Sequence, residues 1–154
     1  GFRERKRSLY EGGVRVPGLL QWPAKIKRPR VVDMPCCTLD YFPTLMEILG
    51  FKMQGQPEPI DGVSLLPLIK GKMTERPRPL GFESAARKSL TDNRYKLIST
   101  DGGTTFELYD LIADKYETTD IAPAHPDIVN SMKDTLAAWE ASCDNSLAGN
   151  DYIT

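Results

Sequence analysis

The stretch FESAARKSLTDNRYKLISTDGGTTFELYDL, residues 82–111, decides the fold of the second half of the chain. Its runs of strand-favouring residues are broken by DN at 92–93 and by DGG at 101–103. Such residues supply the turn chemistry of β-hairpins. The pattern therefore predicts an antiparallel meander of three strands, or four if Leu80 to Glu83 is counted.

A helix is predicted after the meander, in PDIVNSMKDTLAAWEASC at 126–143. Pro126 suits a first helical turn, and apolar residues then recur at helical spacing. This stripe should cover one face of the sheet, which makes the region a small α+β subdomain. The stripe consists of Ile128, Met132, Leu136, Trp139 and Cys143. The polar tail from Asn145 onward is expected to be loosely held.

The first half of the chain reads as elements of a larger α/β structure. The patterns predict a short buried strand at Gly18 to Trp22 and a core helix after Asp40, which ends at Gly50. After this helix they predict a loop at Lys52 to Pro59, a turn at Asp61-Gly62 and a short helix at Ser64 to Gly71. The composition changes at MTERPRPL, 73–80, where two prolines flank an arginine. We therefore expect two domains, residues 1–75 and residues 76–154.

Composition excludes some classes of partner. The 154 residues carry 20 basic and 21 acidic side chains, a formal charge of −1, so no global field attracts nucleic acid or a membrane surface. No apolar run approaches the ~20 residues of a membrane-spanning helix. The three cysteines have neither a disulfide framework nor metal-ligand spacing.

The basic segment RKRSLYEGGVRVP, residues 5–17, allows two interpretations. It is either a solvated basic flank or the edge of an anion site. Gly12-Gly13 would permit a turn with positive φ that leads into a strand beginning near Val14. We expect Glu11 and Arg15 to hold that turn, either by pairing with each other or by binding backbone groups.

The segment K-R-S-L-Y-E-G-G-V-R-V-P resembles a signature of sulfatases of the arylsulfatase and N-acetylgalactosamine-6-sulfatase type, in the alkaline phosphatase-like superfamily. Other segments match that family in the expected order. They are the strand ending at Trp22-Pro23, D-Y-F-P-T-L at 40–45, D-G-V-S-L-L-P-L at 61–68, E-L-Y-D-L at 107–111 and D-K-Y-E-T-T-D-I-A at 114–122.

This resemblance implies a fold and a set of missing parts. Residues 1–75 would be an α/β fragment of an alkaline phosphatase-like catalytic domain, and residues 76–154 a C-terminal subdomain. The family's nucleophile, a formylglycine made from cysteine or serine, and its calcium ligands would lie upstream, so the N-terminal catalytic region is the expected partner. The fragment alone should be inactive. Family members suggest a periplasmic, secreted or lysosome-like compartment.

One residue of the family's site maps onto this chain. In similar enzymes the lysine four positions before the tyrosine of Y-E-G-G binds the substrate sulfate, and here it is Lys6. A fixed ammonium stabilises the charge that develops on the sulfate oxygens during attack. The implied substrate is a sulfated small molecule or a sulfated glycan. The resemblance gives no support to Glu11 as a general acid.

Two other functions stay open on these residues. A phosphate ester hydrolase of the same superfamily would share the scaffold, because a lysine beside an anion does not tell sulfur from phosphorus. A stand-alone binding or interaction module is the alternative from a different class. It would need a first half that is folded and covered by itself.

Overall fold

The chain forms two compact units. The computed structural model describes residues 1–52 and 60–151. One unit combines Gly1–Gly18 with Pro79–Ala141, and the other combines Leu19–Arg78 with the residues from Ser142 onward. The expected boundary between residues 75 and 76 concerns domains of the intact protein and stays a prediction.

A four-stranded antiparallel meander is the centre of the first unit, which confirms the prediction from residues 82–111. Its strands follow one another in the order β1-β2-β3-β4. They are β1 at Leu80–Ser84, β2 at Arg87–Thr91, β3 at Tyr95–Ser99 and β4 at Glu107–Asp110. At the β2–β3 turn the Asp92 carboxylate accepts hydrogen bonds from the backbone N–H groups of Arg94 and Tyr95, as expected of an Asp at a turn.

Helix α4, Pro126–Leu147, covers one face of this sheet. Its buried Met132 and Leu136 pack against one apolar residue from each of three strands, Leu90, Leu97 and Leu108. Ile128 and Trp139 pack against the same cluster at its margin. The predicted helical stripe is therefore confirmed at these four positions.

The opposite face of the sheet is covered by the N-terminal segment. Leu9 and Tyr10 pack against Ile98 of β3 and Tyr109 of β4. Side chains alternate across a strand, so Ile98 lies on the face opposite Leu97. Residues 8–14, including the short helix α1 at Glu11–Val14, thus pack on the face of the sheet opposite to the one that α4 covers.

The prediction of a strand at Gly18 to Trp22, entered near Val14, is wrong. Val14 ends α1, and residues 15–22 have no strand structure. Leu19 is 99% exposed. A strand is stable only beside another strand, and no described segment of this chain pairs with this one.

The second unit contains the predicted helix after Asp40, confirmed as α2 at Tyr41–Leu49. Gly50 ends it in the left-handed conformation, with φ of 70°. Its predicted role as a core helix is wrong within this unit, because Leu45 and Leu49 are 56% and 61% exposed. The predicted helix at Ser64 to Gly71 is present as the shorter α3, Leu66–Ile69. The Asp61-Gly62 segment is irregular backbone.

A buried ion pair holds the second unit together. The Asp40 carboxylate, fully buried, receives two hydrogen bonds of 2.7 and 2.8 Å from the Arg76 guanidinium. It also accepts the backbone N–H groups of Val63 and Cys37. Burial alone would raise the pKa of Asp40, but these donors outweigh it and hold the pKa below its ordinary value. Asp40 is therefore a structural residue.

Parts of two predicted segments lie outside the described residues. The loop at Lys52 to Pro59 does so after its first residue, and the polar tail does so beyond Asp151. Within residues 1–52 and 60–151, no helix has the length and apolar character needed to cross a membrane.

Candidate anion site

The predicted site residue, Lys6, lies in a tight loop at residues 4–8. Glu4 and Arg7 have positive φ angles of 58° and 79°, a conformation that costs a non-glycine residue about 1–3 kcal/mol. The Ser8 N–H donates a hydrogen bond of 3.1 Å to the Arg5 carbonyl and closes the turn. The backbone around Lys6 is thus held in a conformation that the rest of the unit must stabilise.

This loop forms one side of an open concavity. The concavity is lined by Glu4, Arg5, Lys6, Arg7, Ser8 and Arg87. Arg87, at the start of β2, donates a hydrogen bond of 2.9 Å to the Arg7 carbonyl across 80 positions of sequence. Lys6 is exposed and forms no ion pair with any described carboxylate. The surface is therefore suited chemically to an anion.

The two glycines of Y-E-G-G serve close packing. A Cβ atom on Gly12 would lie 2.3 Å from the Glu4 carbonyl oxygen, and one on Gly13 would lie 2.0 Å from the Ser8 carbonyl oxygen. The expectation of positive φ is wrong here, since neither glycine has it. Glycine is required because α1 packs directly on the backbone that carries Lys6.

A buried network of charged side chains fixes α1 on the sheet. The Lys96 ammonium, fully buried, lies 3.0 Å from a carboxylate oxygen of Glu11 and 3.0 Å from one of Glu117. The other oxygen of Glu117 accepts the Glu11 backbone N–H at 2.6 Å. The predicted pair of Glu11 with Arg15 is confirmed at 3.2 Å. Burial raises the pKa of Glu117, and Lys96 opposes that rise.

This network also gives Glu11 its role. Its carboxylate is buried and is engaged by Lys96 and Arg15. A carboxylate held in this way supports the turn and does not act as a general acid. The segment that carries Lys6 is therefore fixed on β3 through Glu11 and the glycines that follow it.

A second cluster ties the start of the loop to β4. The Arg3 guanidinium donates to the Tyr109 hydroxyl at 2.5 Å and lies 3.9 Å above the Tyr10 ring. Both tyrosine hydroxyls donate to the Glu107 carboxylate. Burial, reinforced by that carboxylate, raises the pKa of Tyr10 and of Tyr109, so both phenols stay protonated near neutral pH.

Sequence reasoning missed three residues of this arrangement. Arg87, Lys96 and Glu117 lie more than 75 positions from the loop that they support, and no local pattern connects them to it. The only available signal was for Glu117, which lies in the D-K-Y-E-T-T-D-I-A segment that resembles the sulfatase pattern.

The described residues do not fit a calcium site. Among residues 1–52 and 60–151, no three Asp, Glu, His or Cys side chains converge where they could hold a metal ion. Calcium takes six to eight oxygen ligands, several of them carboxylates. This part of the chain therefore offers calcium no set of ligands.

Comparison with known proteins identifies the family. Residues 4–142 match the family described as N-sulphoglucosamine sulphohydrolase, C-terminal. A sulfatase of Formosa agariphila is 32% identical over 90% of this chain and 29% of its own length. An uncharacterised sulfatase of Schizosaccharomyces pombe is 29% identical over 98% of this chain and 29% of its own length. The chain thus spans about three tenths of each relative.

A solved structure shares the fold. It is a protein from the metabolism of multiple glycosaminoglycans by Bacteroides thetaiotaomicron, with a TM-score of 0.79 and 24% identity over 91% of this chain and 32% of that one. The predicted fold class is confirmed in its sulfatase fold and in its antiparallel sheet with a C-terminal helix. The chain belongs to the family of C-terminal sulfatase domains.

Proposed function

We propose that the intact protein is a sulfuric ester hydrolase of the arylsulfatase and N-acetylgalactosamine-6-sulfatase type, and that this chain supplies Lys6 as a contact to the substrate sulfate. The nucleophile in this proposal is a formylglycine in the upstream catalytic region, where calcium would also be held. Calcium would polarise the sulfate group when bound. The 154-residue chain alone is then inactive.

The position of Lys6 is the observation that carries the proposal. It lies in a strained loop that is fixed by the Glu11–Lys96–Glu117 network, in a concavity with three arginines. Its ammonium has no carboxylate partner among the described residues. Family membership and the sulfatase relatives support a sulfate ester as the chemical class of the anion.

A lysine in this place acts on the reaction by its charge. Attack at sulfur moves negative charge onto the sulfate oxygens and onto the leaving oxygen. An ammonium that is fixed beforehand beside those oxygens binds the transition state more strongly than the ground state. By analogy with the loss of one oxyanion donor, its removal should reduce the rate on the order of 10² to 10³.

The substrate proposed is a sulfated glycan or a sulfated small molecule. The glycan is supported by the structural neighbour from glycosaminoglycan metabolism. That likeness is one of fold, so the class of substrate rests mainly on the sulfatase relatives. Family members of this kind also support a periplasmic, secreted or lysosome-like compartment for the intact protein.

The upstream catalytic region is the proposed partner of the second unit. Large apolar side chains are exposed in this unit between Leu19 and Phe51, and apolar surface exposed in this amount marks a region that another part of a protein covers. They are Leu19, Leu20, Val31, Val32, Leu39, Tyr41, Phe42, Leu45, Leu49 and Phe51. A self-contained binding module would bury such residues, which weighs against that alternative.

The test is to assay the intact protein with calcium on an aryl sulfate and on the matched aryl phosphate. We expect turnover of the sulfate to dominate, and mass spectrometry to find formylglycine at the upstream nucleophile. Preferred turnover of the phosphate with an unmodified serine or threonine would favour a phosphate ester hydrolase. Absence of turnover on both esters would favour a binding module.

A further inference from the structure

In the part of the chain that the structure describes, most arginine and lysine side chains of the first unit have a carboxylate or an aromatic ring as a partner, but four do not. Five arginines and lysines pair with carboxylates: Arg3, Arg15, Lys88, Arg94 and Lys96. Lys115 and Lys133 lie over aromatic rings. Four have neither kind of partner among the described residues, and all four line one concavity: Arg5, Lys6, Arg7 and Arg87.

Positive charge is therefore concentrated in this concavity, although the chain as a whole is nearly neutral. The chain as a whole has a formal charge of −1, yet Glu4 is the only acidic residue that lines the concavity in the described part of the chain. Glu4 makes no ion pair with the described cations. Like charges at short range repel, and an anion bound between them offsets that repulsion. Four clustered cations exceed what a single sulfate contact needs.

Arg87 differs from the other three cations in how it is placed. It comes from the sheet, directly after a tight turn in which Ala85 has a φ of 54°. Its Nη1 atom donates to the Arg7 carbonyl, which sets the guanidinium at the edge of the loop. A guanidinium has five N–H donors in a planar fork, so one such bond leaves donors that suit a sulfate or a carboxylate.

We propose that Arg87, with Arg5 and Arg7 beside it, forms a second anion subsite next to Lys6. The substrate class that it selects is a sulfated sugar with at least one further anionic group, a second sulfate or a carboxylate. This inference rests on the proposed sulfatase function. In this proposal the antiparallel sheet contributes to substrate choice through Arg87, whereas Lys6 contacts the sulfate group that is cleaved.

The test compares two substrates in the intact protein, a monosulfated hexosamine and the same sugar with a second sulfate. A hydrogen bond to a charged group corresponds to about tenfold to a hundredfold in binding. We expect Arg87→Ala to lower kcat/KM on the disulfated sugar by about that factor more than on the monosulfated sugar, mainly through KM. Arg87→Lys should recover part of the loss.

A matched control removes another arginine of the same sheet. Arg94 lies in the turn that follows β2, and its guanidinium pairs with Asp110 outside the concavity. Arg94→Ala should therefore change neither substrate's kcat/KM. Equal loss on both sugars in Arg87→Ala would mean that Arg87 only anchors the Arg7 carbonyl, and it would overturn the subsite. No loss on either sugar would overturn it as well.

Binding separates failure of this inference from failure of the proposed reaction. Titration calorimetry with the two sugars should show tighter binding of the disulfated one, and Arg87→Ala should abolish the difference. That result in a protein that hydrolyses neither sugar would reject the reaction and keep the subsite. Equal binding of both sugars by the unaltered protein would reject the subsite.

Discussion

Removal of the Lys96 ammonium should loosen the segment that carries Lys6. In Lys96→Met the side chain keeps a similar length but loses its charge, so two buried carboxylates, those of Glu11 and Glu117, lose the counterion that they share. Burial already raises the pKa of Glu117 while Lys96 is present. The variant should raise it further and favour uptake of a proton.

The expected magnitude follows from burial. Lys96 is 0% exposed and both carboxylates are buried, and removal of one partner from such a site costs about 3–5 kcal/mol. Lys88 provides the control, because its pair with Glu140 leaves the two side chains 20% and 24% exposed. Lys88→Met should cost less than about 1 kcal/mol.

Hydrogen exchange in the intact protein measures this difference locally. The amides of β3 and β4 should lose several kcal/mol of protection in Lys96→Met and little in Lys88→Met. Adding Glu117→Gln to Lys96→Met should restore part of the loss, because one uncompensated charge is removed. Equal losses in the two lysine variants would mean that full burial does not make the Lys96 network more important for stability than a partly exposed pair.

Two further predictions concern packing and acid stability. Gly12→Ala places a methyl group 2.3 Å from the Glu4 carbonyl oxygen and should lower the free energy of unfolding by about 1–3 kcal/mol. Gly18→Ala is the control and should be neutral, because a Cβ atom there has no atom within 4 Å. Equal thermal midpoints for the two variants would contradict this explanation of the glycine pair. The pKa of Asp40 is held below its ordinary value of 3.8, so its contribution is present above that pH and is lost as pH falls through the lowered pKa. Denaturation midpoints measured against pH should show this acid-sensitive loss in the unaltered protein, and Asp40→Asn should lack it.

Local patterns predicted the meander and α4. Turn residues at 92–93 and 101–103 and the helical spacing from Ile128 to Trp139 act within a few residues of each other, so a single sequence displays them. The same is true of Gly50, which ends α2. These features depend little on what packs against them.

Features that depend on distant partners were predicted poorly. Gly18 to Trp22 has the composition of a strand, but a strand forms only where another strand bonds to it. Gly12 and Gly13 are required by contact with carbonyl groups of residues 4 and 8, which composition cannot distinguish from a need for positive φ. Arg87 joins the basic concavity only because the sheet brings β2 beside the loop.

The role of Lys6 is tested most directly by the rate of sulfate ester hydrolysis by Lys6→Ala in the intact protein. Lys72→Ala is the matched control, since Lys72 is also exposed but lies outside the concavity. Lys6→Ala should lower kcat on the order of 10² to 10³ with an unchanged thermal midpoint, and Lys72→Ala should match the unaltered protein. An unchanged kcat in Lys6→Ala would remove Lys6 from the site and leave the proposed sulfate contact without support.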